Sequence, residues 1–112
     1  MTEIQQYQIW LVDLNPTKGS EQKGIRPCVV VSPDEMNSNL PTSLIVPLTR
    51  TEKKWPTVVK IDSTESISGS VSYALVEQLR NVSHQRFLRK AGKINRDEAM
   101  QIKDVIKRLL VD

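Results

Sequence analysis

The chain is 112 residues long, with a formal net charge of +3 and an isoelectric point near 9.2. This length is typical of one domain, so we expect a single domain spanning residues 1–112. The single cysteine, Cys28, excludes an intramolecular disulfide framework and a cysteine zinc site, and it favours a reducing, cytoplasmic location. No apolar run is long enough to span a bilayer, which argues against a membrane partner.

Short apolar runs separated by polar turns predict a series of β-strands. The first run, residues 9–12, is too short for a helix, rich in β-formers and followed by Asn15-Pro16, which favours a turn. Similar runs occupy residues 28–31, 43–48, 57–61, 71–79 and 87–94. This spacing is typical of a small barrel or sandwich.

Two features interrupt the pattern of strands. The polar segment at residues 15–24 is longer than a tight hairpin requires, and long loops in small barrels often carry function. Pro47 lies inside the third predicted strand and has no N–H to donate. We therefore expect that strand to lie at an edge, or to contain a bulge just before Thr49 and Arg50. Residues 34–36 are expected to form one helical turn.

The C-terminal segment has a different period. Asn95, with Glu98 three residues later, predicts a helix N-cap of the capping-box type. The apolar residues that follow recur at helical spacing, at Ala99, Ile102, Val105, Ile106, Leu109 and Leu110. A C-terminal α-helix is thus expected to close a mainly β domain.

The side chains available limit the chemistry. His84 is the only histidine and the acids are scattered singly, so we expect no catalytic metal and no two-histidine mechanism within one chain. His84 lies in a polar turn at residues 81–85 and is interpreted as an exposed loop residue. Gly19 and Gly24 form no phosphate-binding fingerprint, so no cofactor is indicated.

Arginine provides the strongest chemical signal. Arg26 precedes Pro27, which favours an extended backbone, and its planar guanidinium suits phosphate oxygens. A salt bridge to Glu21 is the structural alternative.

A basic cluster without acids lies later in the chain, at Arg80, Arg86, Arg89, Lys90 and Lys93. It indicates either a nucleic-acid surface or solvated edge strands protected by charge.

Three segments carry a more specific signal, and they occur in the order IWLVDLNPTKGSEQKGIRPCVVVS, SLIVPLTR and SYALVEQLRNVSHQRF. Together they resemble the MazF/PemK toxin endoribonucleases of type II toxin-antitoxin systems. One departure is Tyr7-Gln8, which stands where this family usually has a Gly-acid pair before Ile-Trp. The resemblance implies a mainly β, SH3-like small barrel of the MazF/CcdB type, with short helices and a C-terminal α-helix.

The resemblance also implies an activity and partners. Members of the family cut single-stranded RNA, including mRNA, at specific sequences without a metal or other cofactor. The ribose 2′-hydroxyl attacks the adjacent phosphorus, which leaves a 2′,3′-cyclic phosphate and a 5′-hydroxyl. The expected partners are therefore single-stranded RNA, a second copy in a homodimer, and a cognate MazE-like antitoxin whose acidic tail covers the basic groove.

The resemblance assigns roles to individual residues. Arg26 would clamp the phosphate and deliver a proton, Thr49 would donate its hydroxyl to a non-bridging oxygen, and Glu21 would orient Arg26 or accept the 2′-hydroxyl proton. Without the resemblance, a strand-end threonine bonded to its own backbone is favoured for Thr49. Residues expected to contact RNA are Lys18, Ser20, Gln22, Lys23, Arg50, Trp55, Glu77, Gln78, Arg80 and Arg86. For Trp55, the residues alone favour a packed loop anchor over a platform for base stacking.

Two other functions are compatible with the same fold. A toxin resembling CcdB would inhibit DNA gyrase through its C-terminal helix and cut no RNA. A degenerate member of the MazF/PemK family would bind RNA or an antitoxin without cutting. The GSEQKGIRP loop and Thr49 favour the nuclease, because a gyrase-binding helix requires neither of them.

Overall fold

The computed structural model describes residues 3–15, 19, 24–62 and 70–112. In these ranges the elements are β1 (Gln8–Asp13), β2 (Ile25–Val30), α1 (Asp34–Asn39), β3 (Thr42–Thr49), β4 (Val58–Ile61), β5 (Ser72–Leu75), β6 (Arg80–Ser83), β7 (Phe87–Lys93) and α2 (Arg96–Leu110). Single 3-10 turns, Val76–Gln78 and His84–Arg86, precede β6 and β7.

Five antiparallel strands form a small barrel-like unit in the order β7-β1-β2-β3-β6. The 3-10 turn at residues 84–86 links β6 to β7, and no hydrogen-bonded ladder joins these two strands within the described ranges. Alternate side chains of the strands fill the interior, which we call the inner core. Its members are Trp10, Val12, Leu14, Cys28, Val30, Ile45 and Val82, with Ile4 and Phe87 packed against them.

The end of β3 continues beyond this unit into a second layer. There β3 pairs with β5, and β5 pairs with β4. The opposite set of alternate side chains meets the apolar face of α2 and forms the outer core. It contains Ile9, Val29, Val46, Leu48, Val59, Ile61, Ala74, Val76, Ile94, Ala99, Ile102 and Val105. The expected mainly β, small barrel-like fold with a C-terminal helix is confirmed.

The expectation that Pro47 lies in an edge strand is wrong, whereas the alternative of a bulge just before Thr49 stays a prediction. β3 is not an edge strand, and its ladder with β2 runs through a Cys28–Pro47 pair. On its other side, β3 pairs with β6 as far as Ile45 and with β5 from Leu48 onward. Pro47 therefore lies where β3 changes partner strand, which is where a missing N–H costs no ladder hydrogen bond.

Three predicted elements differ in extent. The run at residues 71–79 is β5 followed by the 3-10 turn, because the chain leaves the ladder after Leu75. β6, which contains the single buried apolar residue Val82, was not predicted as a strand. The helical turn expected at residues 34–36 continues through Asn39.

The capping box predicted for α2 is confirmed. Asn95 Oδ1 accepts the Glu98 N–H at 2.8 Å, and Glu98 Oε1 accepts the Asn95 N–H at 2.9 Å. The other carboxylate oxygen of Glu98 accepts the Asp62 N–H at 2.8 Å, which ties the helix to the end of β4. Within the described ranges, no helix has the length and apolar character needed to cross a membrane.

Replacing Asn95 with alanine should lower the free energy of unfolding by about 1 kcal/mol, because the Glu98 N–H loses its acceptor at the helix end. Chemical denaturation measures this difference. Gln101→Ala, an exposed change in the same helix, is the control and should stay within about 0.5 kcal/mol of the parent. Equal stabilities of the two variants would show that the cap contributes nothing.

Candidate active site

Arg26 and Thr49 lie at corresponding positions just beyond the last paired residues of β2 and β3. Cys28 is paired with Pro47 in this antiparallel ladder, and two further residues along each strand lead to Arg26 and Thr49. A step of two residues keeps a side chain on the same face of a strand. Arg26 is also paired with Val12 of β1, an inner-core residue. Both candidate catalytic residues therefore lie on the inner-core side of the sheet.

Arg80 joins this face from β6. It is paired with Ile45, an inner-core residue, and directly paired residues share a face. Electrostatics supports this placement independently. Burial raises the pKa of the Cys28 thiol to about 12, while the positive charges of Arg80 and Arg26 act in the opposite direction. Both guanidinium groups are thus within electrostatic reach of one sulfur atom.

Thr49 ends β3 in a buried position with only 8% of its surface exposed. Its Oγ1 accepts the N–H of Thr51 at 3.2 Å, which fixes the side chain in a short turn. The hydroxyl oxygen acts as acceptor in this bond, so its proton remains available to a phosphate oxygen. The neighbouring Arg50 is exposed.

The loop after Thr49 presents an aromatic ring. Trp55 is 51% exposed, so the expectation that it is a packed anchor is wrong. The ammonium group of Lys53 lies 5.2 Å from the centre of this ring, in a cation–π contact. An exposed indole beside a cation is the arrangement on which an unpaired base stacks.

Glu77 and Gln78 lie in the 3-10 turn before β6. Glu77 is exposed, and its Oε1 accepts the Thr57 hydroxyl proton at 2.7 Å, which connects this turn to the loop containing Trp55. Gln78 is half-buried next to the start of β6. Glu77 thus contacts the segment that follows Trp55, and Gln78 lies two residues before Arg80 along the chain.

Arg86 makes contacts that the sequence did not suggest. One of its terminal nitrogens donates to the Asp13 carbonyl oxygen at 3.2 Å and also to the Asn15 carbonyl oxygen. These carbonyls stand at the beginning of the long loop that precedes β2. The expected RNA contact is therefore accompanied by a backbone contact within the chain.

Five predicted site residues, Lys18, Ser20, Glu21, Gln22 and Lys23, lie outside the described residues. The two ends of their loop are described. The Leu14 N–H donates to the Gly24 carbonyl oxygen at 2.9 Å, and the Gly24 N–H donates to Asn15 Oδ1 at 3.0 Å. Gly24 has a φ of +81°, a conformation that glycine adopts without strain.

His84 is not the exposed loop residue that was expected. It is half-buried, its Nε2 lies 2.8 Å from Ser43 Oγ, and its ring meets Phe87 edge-on at 5.5 Å. Ser43 donates its hydroxyl proton to Asn37 Oδ1 at 2.6 Å, so the His84 Nε2 carries the proton in its bond to Ser43. Ser43 and His84 are 41 residues apart, a separation at which no sequence pattern signals the contact.

A cavity of about 580 Å³ borders this histidine. Its walls include Ile4, Trp10, Asn37, Leu40, Phe87 and Lys90. Among the described residues, no three His, Cys, Asp or Glu side chains are grouped so as to hold a metal ion.

Comparison with known proteins identifies the family. Residues 5–110 match the family described as "PemK-like, MazF-like toxin of type II toxin-antitoxin system". The chain belongs to this family. Over 107 residues it is 35% identical to Endoribonuclease MazF9 of Mycobacterium tuberculosis, covering 89% of this chain and 90% of that protein.

Solved structures of other family members share the fold. MazF from Deinococcus radiodurans superimposes with a TM-score of 0.87 at 22% identity and 98% coverage of both chains. An endoribonuclease from a mycobacterial species, solved in complex with its cognate antitoxin, gives a TM-score of 0.80 at 19% identity, covering 96% of this chain and 94% of that chain.

For this PemK/MazF-like chain, Cys28 should be unreactive while the protein is folded. The raised pKa keeps the thiol protonated, whereas an unfolded cysteine ionises near about pH 8.5. The resulting stability is present below that pH and is lost as the pH rises towards the folded value. We expect slow alkylation by iodoacetamide at mildly alkaline pH and rapid alkylation in denaturant. Fast labelling of the folded chain would contradict the burial.

Proposed function

We propose that this family member is a metal-independent endoribonuclease that cuts single-stranded RNA at the face shared by Arg26 and Thr49. The observation that supports the proposal is the strand register. Continued two residues beyond the last pair, Cys28–Pro47, it brings the Arg26 guanidinium and the buried Thr49 hydroxyl to corresponding positions, and Arg80 shares the face of Arg26. The family assignment and the name of the 35% identical relative support it.

The reaction follows from the charges that develop. The 2′-oxygen forms a bond to phosphorus as the bond to the 5′-oxygen breaks, and the intermediate oxygens gain negative charge. Arg26 holds these oxygens through planar, charge-assisted hydrogen bonds, and Thr49 donates its hydroxyl proton to one of them. The 2′-hydroxyl releases its proton to water as it attacks, and the departing 5′-oxygen takes up a proton from Arg26. The guanidinium, which Glu21 orients, then regains a proton from solvent. The products carry a 2′,3′-cyclic phosphate and a 5′-hydroxyl.

RNA binding extends from this face to the surrounding loops. Arg80 attracts the phosphate backbone from β6, and Trp55 offers a ring to an unpaired base. The exposed Arg50 lies between Thr49 and Trp55 along the chain. The loop residues Lys18, Ser20, Gln22 and Lys23, together with Glu77 and Gln78, complete the proposed contact set.

We further infer a cytoplasmic homodimer that is neutralised by a cognate MazE-like antitoxin. The family description places the chain in a type II toxin-antitoxin system, and related toxins have been solved with antitoxins bound. An acidic antitoxin tail would meet the same cations as RNA does, so the two ligands would compete for one groove.

Changing Arg26 to alanine should lower kcat for RNA cleavage by about a hundredfold or more, since the developing phosphate charge loses its main stabiliser. The assay uses a long single-stranded RNA in EDTA, with mapping of the new 5′-hydroxyl ends. Arg108→Ala is the matched control, because Arg108 lies on α2 with its side chain about half exposed and paired with Asp104.

The outcomes of that assay distinguish the nuclease from the CcdB-like toxin and from a degenerate nuclease. Recurrent cuts in EDTA that disappear only with Arg26→Ala support the proposal. Equal cutting by Arg26→Ala and the parent would refute the assigned role of the arginine. Intact RNA combined with inhibition of gyrase supercoiling would instead establish the CcdB-like alternative, and RNA binding without products would identify a degenerate nuclease.

Replacing Trp55 with alanine should weaken RNA binding by about 1–3 kcal/mol, the contribution of one stacked base. The measurement is the Kd for an RNA that carries a 2′-deoxyribose at the cleavage site. Trp55→Phe should retain part of this affinity because it keeps a stacking surface. Folding should be little affected, since half of the indole is already exposed. Unchanged affinity of the alanine variant would exclude Trp55 from the interface.

A further inference from the structure

The barrel has a gap in its ladder at the point where β1 ends. β7 begins at Phe87, which is paired with Val12, so no β7 residue is paired with the described residues 13–15 that follow. The Leu14 N–H points towards β2, where it donates to the Gly24 carbonyl oxygen. Its neighbours Asp13 and Asn15 therefore direct their carbonyls to the opposite side, which is the side of β7.

The guanidinium of Arg86 fills this gap. It donates to both the Asp13 and the Asn15 carbonyl oxygens, for which the described part of the chain offers no ladder partner on that side. The Arg86 side chain thus supplies the hydrogen-bond donors that the backbone of a longer β7 would supply. The contact spans 71 residues of sequence to Asn15 and 73 to Asp13, so it links the last strand of the barrel to the first loop.

The backbone that carries Arg86 is itself held in place. Arg86 ends a 3-10 turn whose N-cap, Ser83, accepts the Gln85 N–H through its side chain. The next residue, Phe87, packs edge-on against Trp10 with the ring centres 5.8 Å apart. The guanidinium is therefore attached to a fixed point of the inner core, and it restrains the carbonyls it binds.

Asn15, which accepts from Arg86, is also hydrogen-bonded to the residue that precedes β2. Asn15 Oδ1 accepts the Gly24 N–H at 3.0 Å, so both ends of the loop meet at one residue. Gly24 is followed after one residue by Arg26, which belongs to the candidate site. The order of contacts is Arg86 to Asn15, Asn15 to Gly24, and Gly24 through the backbone to Arg26.

From this chain of contacts we infer that Arg86 is a positioning residue, which clamps the base of the 15–24 loop and so aligns Arg26 with the scissile phosphate. This inference rests on the proposed function. It assigns Arg86 an effect on the chemical step, whereas a residue that only contacts RNA phosphate would act on binding.

The test separates the chemical step from binding. Arg86→Ala should lower kcat by about ten- to a hundredfold, the scale of a small misplacement of a catalytic group, and leave KM within about threefold. Binding of the 2′-deoxy RNA should keep the salt dependence of the parent. Loss of one phosphate contact would instead reduce the slope of log K against log salt by about 0.7. A raised KM with a reduced slope and unchanged kcat would overturn the inference.

Two further variants keep the test decisive if Arg86→Ala does not fold. Arg86→Lys retains the charge, but its shorter side chain does not bring the ammonium nitrogen to the position of the terminal nitrogen of Arg86. Its kcat should therefore fall while its salt slope stays unchanged. Asn15→Ala breaks the same path at its second contact and should reproduce the loss of kcat, whereas Asn15→Asp retains an acceptor and should recover most of it. Full kcat in both Arg86→Lys and Asn15→Ala would overturn the inference.

Hydrogen exchange distinguishes failure of the clamp from failure of the proposed function. Exchange of the Gly24 amide should be at least tenfold faster in Arg86→Ala or Arg86→Lys than in the parent, with Arg108→Ala unchanged. If the parent protein cuts no RNA, the proposed function fails, and the role of Arg86 in cleavage fails with it. If the parent cuts RNA but Gly24 exchange is the same in all variants, only the clamp is wrong.

Discussion

One strand, β3, contributes to both cores of the molecule. From Ile45 to Thr49 every residue is buried, and alternate side chains face opposite ways. Ile45 belongs to the inner core, whereas Val46 and Leu48 belong to the outer core beneath α2. A shift of one residue in register would exchange these two sets, which is costly when both faces are buried. The position of Thr49 relative to β2 is therefore fixed by packing far from the site itself.

Sequence patterns predicted the elements whose stability is local. Apolar runs identified β1, β2 and β3, and the Asn95–Glu98 box identified the start of α2, because these signals lie within a few residues of one another. β6 could not be found in this way, since Val82 is its only buried residue. It forms a strand because β3 offers a free edge from Thr42 to Ile45, a feature of the assembled sheet. His84 was misjudged for the same reason, because its partner Ser43 is on β3.

The candidate site was only partly predictable. The residues next to Arg26 were enough to identify it as a candidate. Thr49 was assigned by family resemblance, and only the register of β2 and β3 gives a structural reason to place it near Arg26.

The departure at Tyr7-Gln8 also has a structural meaning. Tyr7 has a φ of +71°, a conformation in which glycine is far less strained, which accounts for the glycine that this family usually has there. The Gln8 side chain accepts the Trp10 indole N–H at 2.8 Å and so supports the inner core.

The electrostatics of the inner-core face explains why an anion should bind there. Two arginines act on the buried Cys28 sulfur, yet desolvation dominates and the thiol remains neutral, so Cys28 supplies no negative charge to this face. Arg26 and Arg80 both act on this sulfur, so an anion on this face would be attracted by both guanidinium groups. A ligand that binds the folded state in this way also stabilises it. The same two charges would serve RNA phosphate and the carboxylates of an acidic peptide alike, so inhibition by competition would need no second conformation of the barrel.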